Sequence, residues 1–201
     1  MKSKKGLELS INVVVMLIFA ILIFSLSIYL LFKWFGGAQE LEQEIDRQTQ
    51  EQILQTLRSG NQLVATPFSL QEVKRGNFAK FGIGVRNIGA DRRFGIVSNF
   101  SEAYAPDGRE IAQKEKSFIE EKWLGGFKSL PPFLLKKNQQ EVMPLIIKAD
   151  VNTARGVPTP KGDYVFNLCV YVEGPPPPDC LPENRKSFYT EKVYQVTVRV
   201  V

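Results

Sequence analysis

Histidine is missing from all 201 residues, and with it go the commonest general base and the commonest metal ligand of proteins. No glycine-rich phosphate loop, Ser-x-x-Lys pattern or carboxylate cluster at metal-ligand spacing takes its place. Neither catalysis nor a cofactor is therefore expected. Cysteine is nearly missing too: Cys169 and Cys180 are too few for a zinc site and suit one disulfide, a bond that belongs outside the cytoplasm. The net charge of +5 is mild, and the basic residues never gather into a stripe interleaved with aromatics. Nucleic acid is accordingly not an expected partner.

The sharpest absence is local. From Ile11 to Phe32 there is no charge, no proline and no glycine, and only Asn12, Ser25 and Ser27 are polar. At about 1.5 Å per residue this run reaches roughly 33 Å, against a hydrocarbon core of about 30 Å. Lipid gives backbone groups no partners, so the run is expected to be a transmembrane helix over residues 11–35. Lys2, Lys4 and Lys5 precede it, opposed only by Glu8, which places residues 1–10 in the cytoplasm and the rest of the chain outside. Lys33, Trp34 and Phe35 fit the outer membrane interface, where indole prefers the headgroups and a lysine ammonium snorkels. A cleaved secretory signal has a shorter apolar run, about 7 to 15 residues, and small residues after it, neither of which holds here.

Lys4-Lys5-Gly6, set just before this run, resembles the class III signal of archaeal type IV pilin-like proteins. The resemblance covers about the first 35 residues. It implies that Lys4 and Lys5 are the recognition pair of a prepilin peptidase, Gly6 the last residue removed and Leu7 the new N-terminus. An uncleaved signal anchor, in which the lysines only fix topology, is the other reading.

Beyond the run, Gly36-Gly37 reads as a hinge and Ala38–Arg58 as an extracytoplasmic amphipathic helix stopped at Ser59-Gly60, together residues 36–60. Leu41, Ile45, Ile53, Leu54 and Leu57 lie near one face of that helix, a narrow stripe suited to packing on a domain.

From Asn61 the pattern changes to period-two alternation between turn signals. Val64–Val73 reads as an irregular strand broken by Pro67. Phe78–Ile88 places Ala79, Phe81, Ile83 and Val85 on one face; Phe94–Tyr104, Glu141–Ala149, Tyr164–Val172 and Tyr194–Val201 follow. Residues 61–201 are thus expected to be an immunoglobulin-like antiparallel β-sandwich with a Leu135–Ile147 hairpin. Pro160–Tyr164 reads as its tyrosine corner.

An insertion, residues 113–135, interrupts the sandwich with Ile119, Trp123 and Phe127 at four-residue spacing, which predicts a short amphipathic helix. Trp123 and Phe127 either cap the open end of the sandwich or form an exposed partner patch. Cys169 falls on the outward row of its strand, so a bond to Cys180 would fold Gly174–Asp179 back over the outer surface, with Pro176 and Pro177 at a stiff recognition tip. Gly82 and Gly84, side by side on an outer strand face, would admit a close approach by the Ala38–Arg58 helix or a neighbouring subunit. Asn99-Phe100-Ser101 is a glycosylation acceptor pattern on Asn99.

The expected function is therefore that of a membrane-anchored envelope protein, held by lipid through its N-terminal helix and displaying its domain to other envelope or filament proteins, itself included. Resemblance to archaeal pilin-like and archaellum-accessory proteins implies the same. A filament subunit cut after Gly6 is one alternative. An exported carbohydrate-binding or carbohydrate-active module is another, and it predicts a cleft with paired acids such as Glu120, Glu121 or Asp150.

Overall fold

The computed structural model describes residues 14–26, 47–112 and 114–201. The chain divides into two units, Met1–Glu44 and Ile45–Val201. In the first, residues 14–26 form a helix whose every residue is exposed and whose side chains, Ser25 apart, are apolar. Among the described residues no helix is long and apolar enough to cross a membrane. The ends of the expected span lie outside the described residues, as do Lys4, Lys5, Gly6, Leu7, Lys33, Trp34, Phe35 and the Gly36-Gly37 hinge.

The second unit is mostly β-sheet. Strands β1 (Val64–Ala65), β3 (Phe78–Arg86) and β6 (Gln140–Lys148) form one sheet in the order β1-β3-β6. The other has the order β2-β8-β7-β4-β5, from β2 (Leu70–Val73), β4 (Arg92–Tyr104), β5 (Ser129–Leu135), β7 (Gly162–Val172) and β8 (Tyr194–Val200). Every pairing is antiparallel except β2 beside β8, which is parallel.

The alternation read from the sequence decides which residues lie between the sheets. Ala79, Phe81, Ile83 and Val85 of β3 share one buried core with Phe94, Ile96 and Phe100 of β4, with Tyr164, Phe166, Leu168 and Val170 of β7, and with Val196, Val198 and Val200 of β8. Burial of this kind contributes about 1.5 to 3 kcal/mol for each large apolar side chain.

Three connections differ from expectation. Val64–Val73 is two strands in two sheets, because Pro67 offers no N–H to a ladder and the chain passes from one sheet to the other there. The insertion is helical only over Lys116–Lys128, through α2 (Lys116–Ile119), a π turn (Glu120–Leu124) and a 3₁₀ turn (Gly125–Lys128); its last residues are β5, which pairs with β4. Leu135–Ile147 is then no hairpin, since β5 and β6 belong to opposite sheets.

Helix α1 (Arg47–Ser59) lies on the outer face of the three-stranded sheet. Its Ile53 and Leu57 are fully buried with Ala65, flanked by Leu54 and Val142. A Cβ on Gly84 would overlap the Ile53 and Leu57 side chains, so the glycine sets how closely the helix approaches. The Arg86 guanidinium donates to Leu57 O at 3.3 Å. Gly60 N donates to Thr56 O at 2.9 Å, and the left-handed residue that ends the helix is Asn61, φ 46°.

Candidate functional site

Both faces of the five-stranded sheet are covered, and its outer face carries the chemistry. Cys169 stands on the outward row of β7 and is bonded to Cys180, closing the loop as expected. The returning chain, residues 173–193, covers the sheet with a small buried cluster of Val97, Cys169, Tyr171, Cys180 and Phe188. Asn99 points outward into this cover, where its Oδ1 accepts from Cys180 N at 2.8 Å. It is 1 % exposed. The expectation that Asn99 carries a glycan is therefore corrected: its amide is spent on positioning the disulfide segment, and the folded domain leaves a glycan no room. Pro176 is exposed and Pro177 half-buried in the loop this bond closes.

Trp123 is likewise not an exposed patch. It is 3 % exposed, with its ring 4.5 Å from that of Tyr164 and 6.3 Å from that of Phe166, so it closes the end of the core. Phe127 is half-buried beside it. The physical reason is the apolar end left open between the sheets, which the largest side chain of the insertion fills. Tyr164 itself donates its hydroxyl to Pro160 O at 3.0 Å, and burial pushes its phenol up to about 12.

Each of the three acids named above has a partner of its own. Glu120 is buried, accepts from Phe100 N at 3.3 Å beside a register shift in β4, and meets the Lys128 ammonium at 2.7 Å and that of Lys116 at 3.8 Å. Glu121 is exposed next to Lys122. Asp150 accepts from Val151 N at 2.6 Å. Glu120 and Glu121 line one cavity of about 420 Å³ with Ser117, Gly125 and Lys128, and Asp150 is not among its lining residues. Among the described residues no cluster of three or more Cys, Asp or Glu has the geometry to hold a metal ion.

A cleft of about 490 Å³ that no local pattern announces opens on the same sheet. Asp91, Arg92 and Arg93 line it together with Pro132, Leu134, Tyr171 and Glu173. A Cβ on Gly95 would run into the Tyr171 ring, so this glycine lets the ring lie close against β4, and the Arg92 guanidinium lies against Gly89. Asn87 ties the turn that leads into β4. Its Nδ2 donates to Ala90 O at 2.7 Å and Leu135 O at 2.9 Å, while its Oδ1 accepts from Gly89 N at 2.9 Å. Glu173 is held in the left-handed region, φ 51°, with its N–H donating to Arg93 O at 3.0 Å. Burial raises the Tyr171 phenol, so its hydroxyl stays protonated at neutral pH. An Arg-Arg pair entering a strand was the one sequence signal available. What faces it comes from a loop eighty residues away.

No protein-family model matches the sequence, and no curated protein matches it. Among solved structures, a family 123 glycoside hydrolase from Clostridium perfringens is similar at TM-score 0.37 and 12% identity, over 66% of this chain and 22% of that one. The Pseudomonas fluorescens alkylpurine DNA glycosylase AlkC gives 0.36 and 10%, over 69% and 31%. The class 5 fimbriae chaperone CfaA gives 0.33 and 12%, over 69% and 56%. The chain spans less than two thirds of the length of each of these proteins. Likenesses this slight bear on no functional question.

Proposed function

We propose that this protein is a membrane-anchored, extracytoplasmic display protein whose two-sheet domain makes contacts without catalysis. One observation carries the reading: residues 14–26 form a helix that is exposed throughout and, Ser25 apart, apolar on every side, and a helix hydrophobic all round belongs in a core or a membrane. In sequence the apolar run continues on both sides of it, from Ile11 to Phe32. An immunoglobulin-like architecture is the finer reading of the domain. The parallel β2–β8 pair, the crossing of β3 to β4 and of β6 to β7 between sheets, and the Tyr164–Pro160 hydrogen bond support it.

The test is fractionation of the native membrane. The chain is expected to resist alkaline extraction, and protease added from the extracytoplasmic side is expected to reach residues 61–201. A chain that alkaline extraction releases would overturn the reading. The filament alternative rests on Lys4, Lys5 and Gly6, and mass spectrometry of the native N-terminus decides it: a chain starting at Leu7 supports processing, and one starting at Met1 removes it.

A further inference from the structure

The end of the domain from which the chain enters α1 has a surface of its own. The Arg86 guanidinium donates to Leu57 O at 3.3 Å, while Ile53, one helical turn earlier, packs over Gly84. The chain therefore comes into α1 from the Phe78 half of the three-stranded sheet. That half carries two turns. Residues 74–77 are closed by Asn77 N donating to Lys74 O at 3.1 Å, and a hairpin over residues 149–159 is closed by the Asn152–Pro158 bridge and by Thr153 N donating to Val157 O at 2.8 Å. Gly76 N donates to Ala149 O at 2.6 Å and ties the two together, with Val151 against Gly76.

Three large apolar side chains stand in the open here: Phe78 is 56% exposed, Val151 50% and Val157 44%. Phe78 lies on the outward row of β3, directly opposite Lys148. Among the described residues Lys74, Arg75 and Lys148 take part in no ion pair. Arg75 is oriented by its Nε, which donates to Thr159 O at 2.5 Å. Arg155 is matched by Glu115, and Asp150, the one acid of the two turns, accepts from Val151 N at 2.6 Å. Exposed apolar groups set among cations match the headgroup layer of an anionic bilayer, where apolar bodies enter the acyl boundary and ammonium or guanidinium groups meet phosphate. The expected span ends at Phe35 and α1 begins at Arg47. A tether that short gives the lipid surface a high effective concentration, an advantage that no separate protein partner has.

We infer that this end of the domain rests on an anionic lipid surface, with Phe78, Val151 and Val157 in the headgroup layer and Lys74, Arg75 and Lys148 on lipid phosphates. The inference rests on the membrane-anchored reading and deepens it by naming the surface that meets the lipid.

The test places the full chain in nanodiscs of phosphatidylcholine, with or without phosphatidylglycerol, a fraction of the headgroups carrying a nitroxide. A fluorescent label is attached at Val157→Cys or, for comparison, at Leu134→Cys, an exposed position at the opposite end of the sheets. Cys169 and Cys180 are bonded and buried, so only the introduced thiol takes the label. Quenching is expected at position 157 and not at 134, and more of it in discs with phosphatidylglycerol. Lys74→Gln with Lys148→Gln should remove most of that lipid difference, as should about 1 M salt, where the Debye length is about 3 Å. A melting curve verifies the fold of each variant. Four results would overturn the inference: no quenching at 157, equal quenching at 157 and 134, no dependence on phosphatidylglycerol, or the same dependence in the double variant. A chain that stays in the disc without quenching at 157 defeats this inference alone. One that alkaline extraction releases from the native membrane defeats the anchor, and this inference with it.

Discussion

The two outer faces of the domain are covered in opposite ways. On the three-stranded sheet, α1 lays Ile53 and Leu57 over Gly84, so an apolar stripe meets a position with no side chain. On the five-stranded sheet the cover is mostly coil, with one 3₁₀ segment at Pro182–Ser187, and is held by the Cys169–Cys180 bond and by the Asn99–Cys180 hydrogen bond. A regular helix satisfies its own backbone and needs only a fitting surface. A coil has no internal ladder, so each orphan group and each lost degree of freedom has to be met by a specific tie. The open cleft lies on the second face, where the cover stops at Glu173 and Gly174.

Four experiments would break or sharpen that contrast. The largest effect is expected from Cys169→Ala with Cys180→Ala, which should lower stability by about 2 to 4 kcal/mol in denaturant unfolding. Limited proteolysis should then cut first within residues 173–193; cutting first at α1 would show that the disulfide is not what holds this face. Next comes Gly84→Leu, which drives a side chain into Ile53 and Leu57 and should cost about 2 to 3 kcal/mol. New cleavage should appear inside α1 with the disulfide face still protected, and an undisturbed α1 would refute the close-approach argument.

Asn99→Ala is smaller, about 1 to 2 kcal/mol, because it leaves the buried Cys180 N–H without an acceptor. Asn99→Asp keeps an acceptor and should recover part of the loss in the same melt. The smallest effect concerns Asp163, which the Arg199 guanidinium holds below the usual carboxylate range through bonds of 2.7 and 2.9 Å. A lowered folded pKa contributes stability that is present above the unfolded value of 3.8 and is lost as pH falls through the folded one. Melting temperature measured downward from about pH 4 should therefore fall less steeply in Asp163→Asn than in the parent. Identical slopes would leave this partly exposed pair without a role in acid stability.

Much of this was legible one residue at a time. Ala79, Phe81, Ile83 and Val85 announced the inner face of β3 by alternation, and Tyr164, Phe166, Leu168 and Val170 that of β7, because burial on one face of a pleat has period two. Gly82 and Gly84 announced a close approach, and α1 takes it at Gly84. The outward position of Cys169 announced a loop folded over the sheet. Asn99 also read as outward, and it is; what the reading lacked was the cover above it, supplied by residues eighty positions later. Trp123 gave a helical spacing that suits a cap and a patch equally, and only the open end of the core chose between them.

The sequence by itself determined the strand faces, the single disulfide and an apolar run of membrane length, since each follows from local period or from composition. Tertiary structure alone decided that Pro67 parts two sheets, that β5 leaves the insertion to extend a sheet edge, and that Arg92, Arg93, Pro132, Tyr171 and Glu173 line one cleft. The reason is distance along the chain. Periodicity reports which way a side chain points, but what it meets there is set by strand order, and strand order joins segments that no local pattern links.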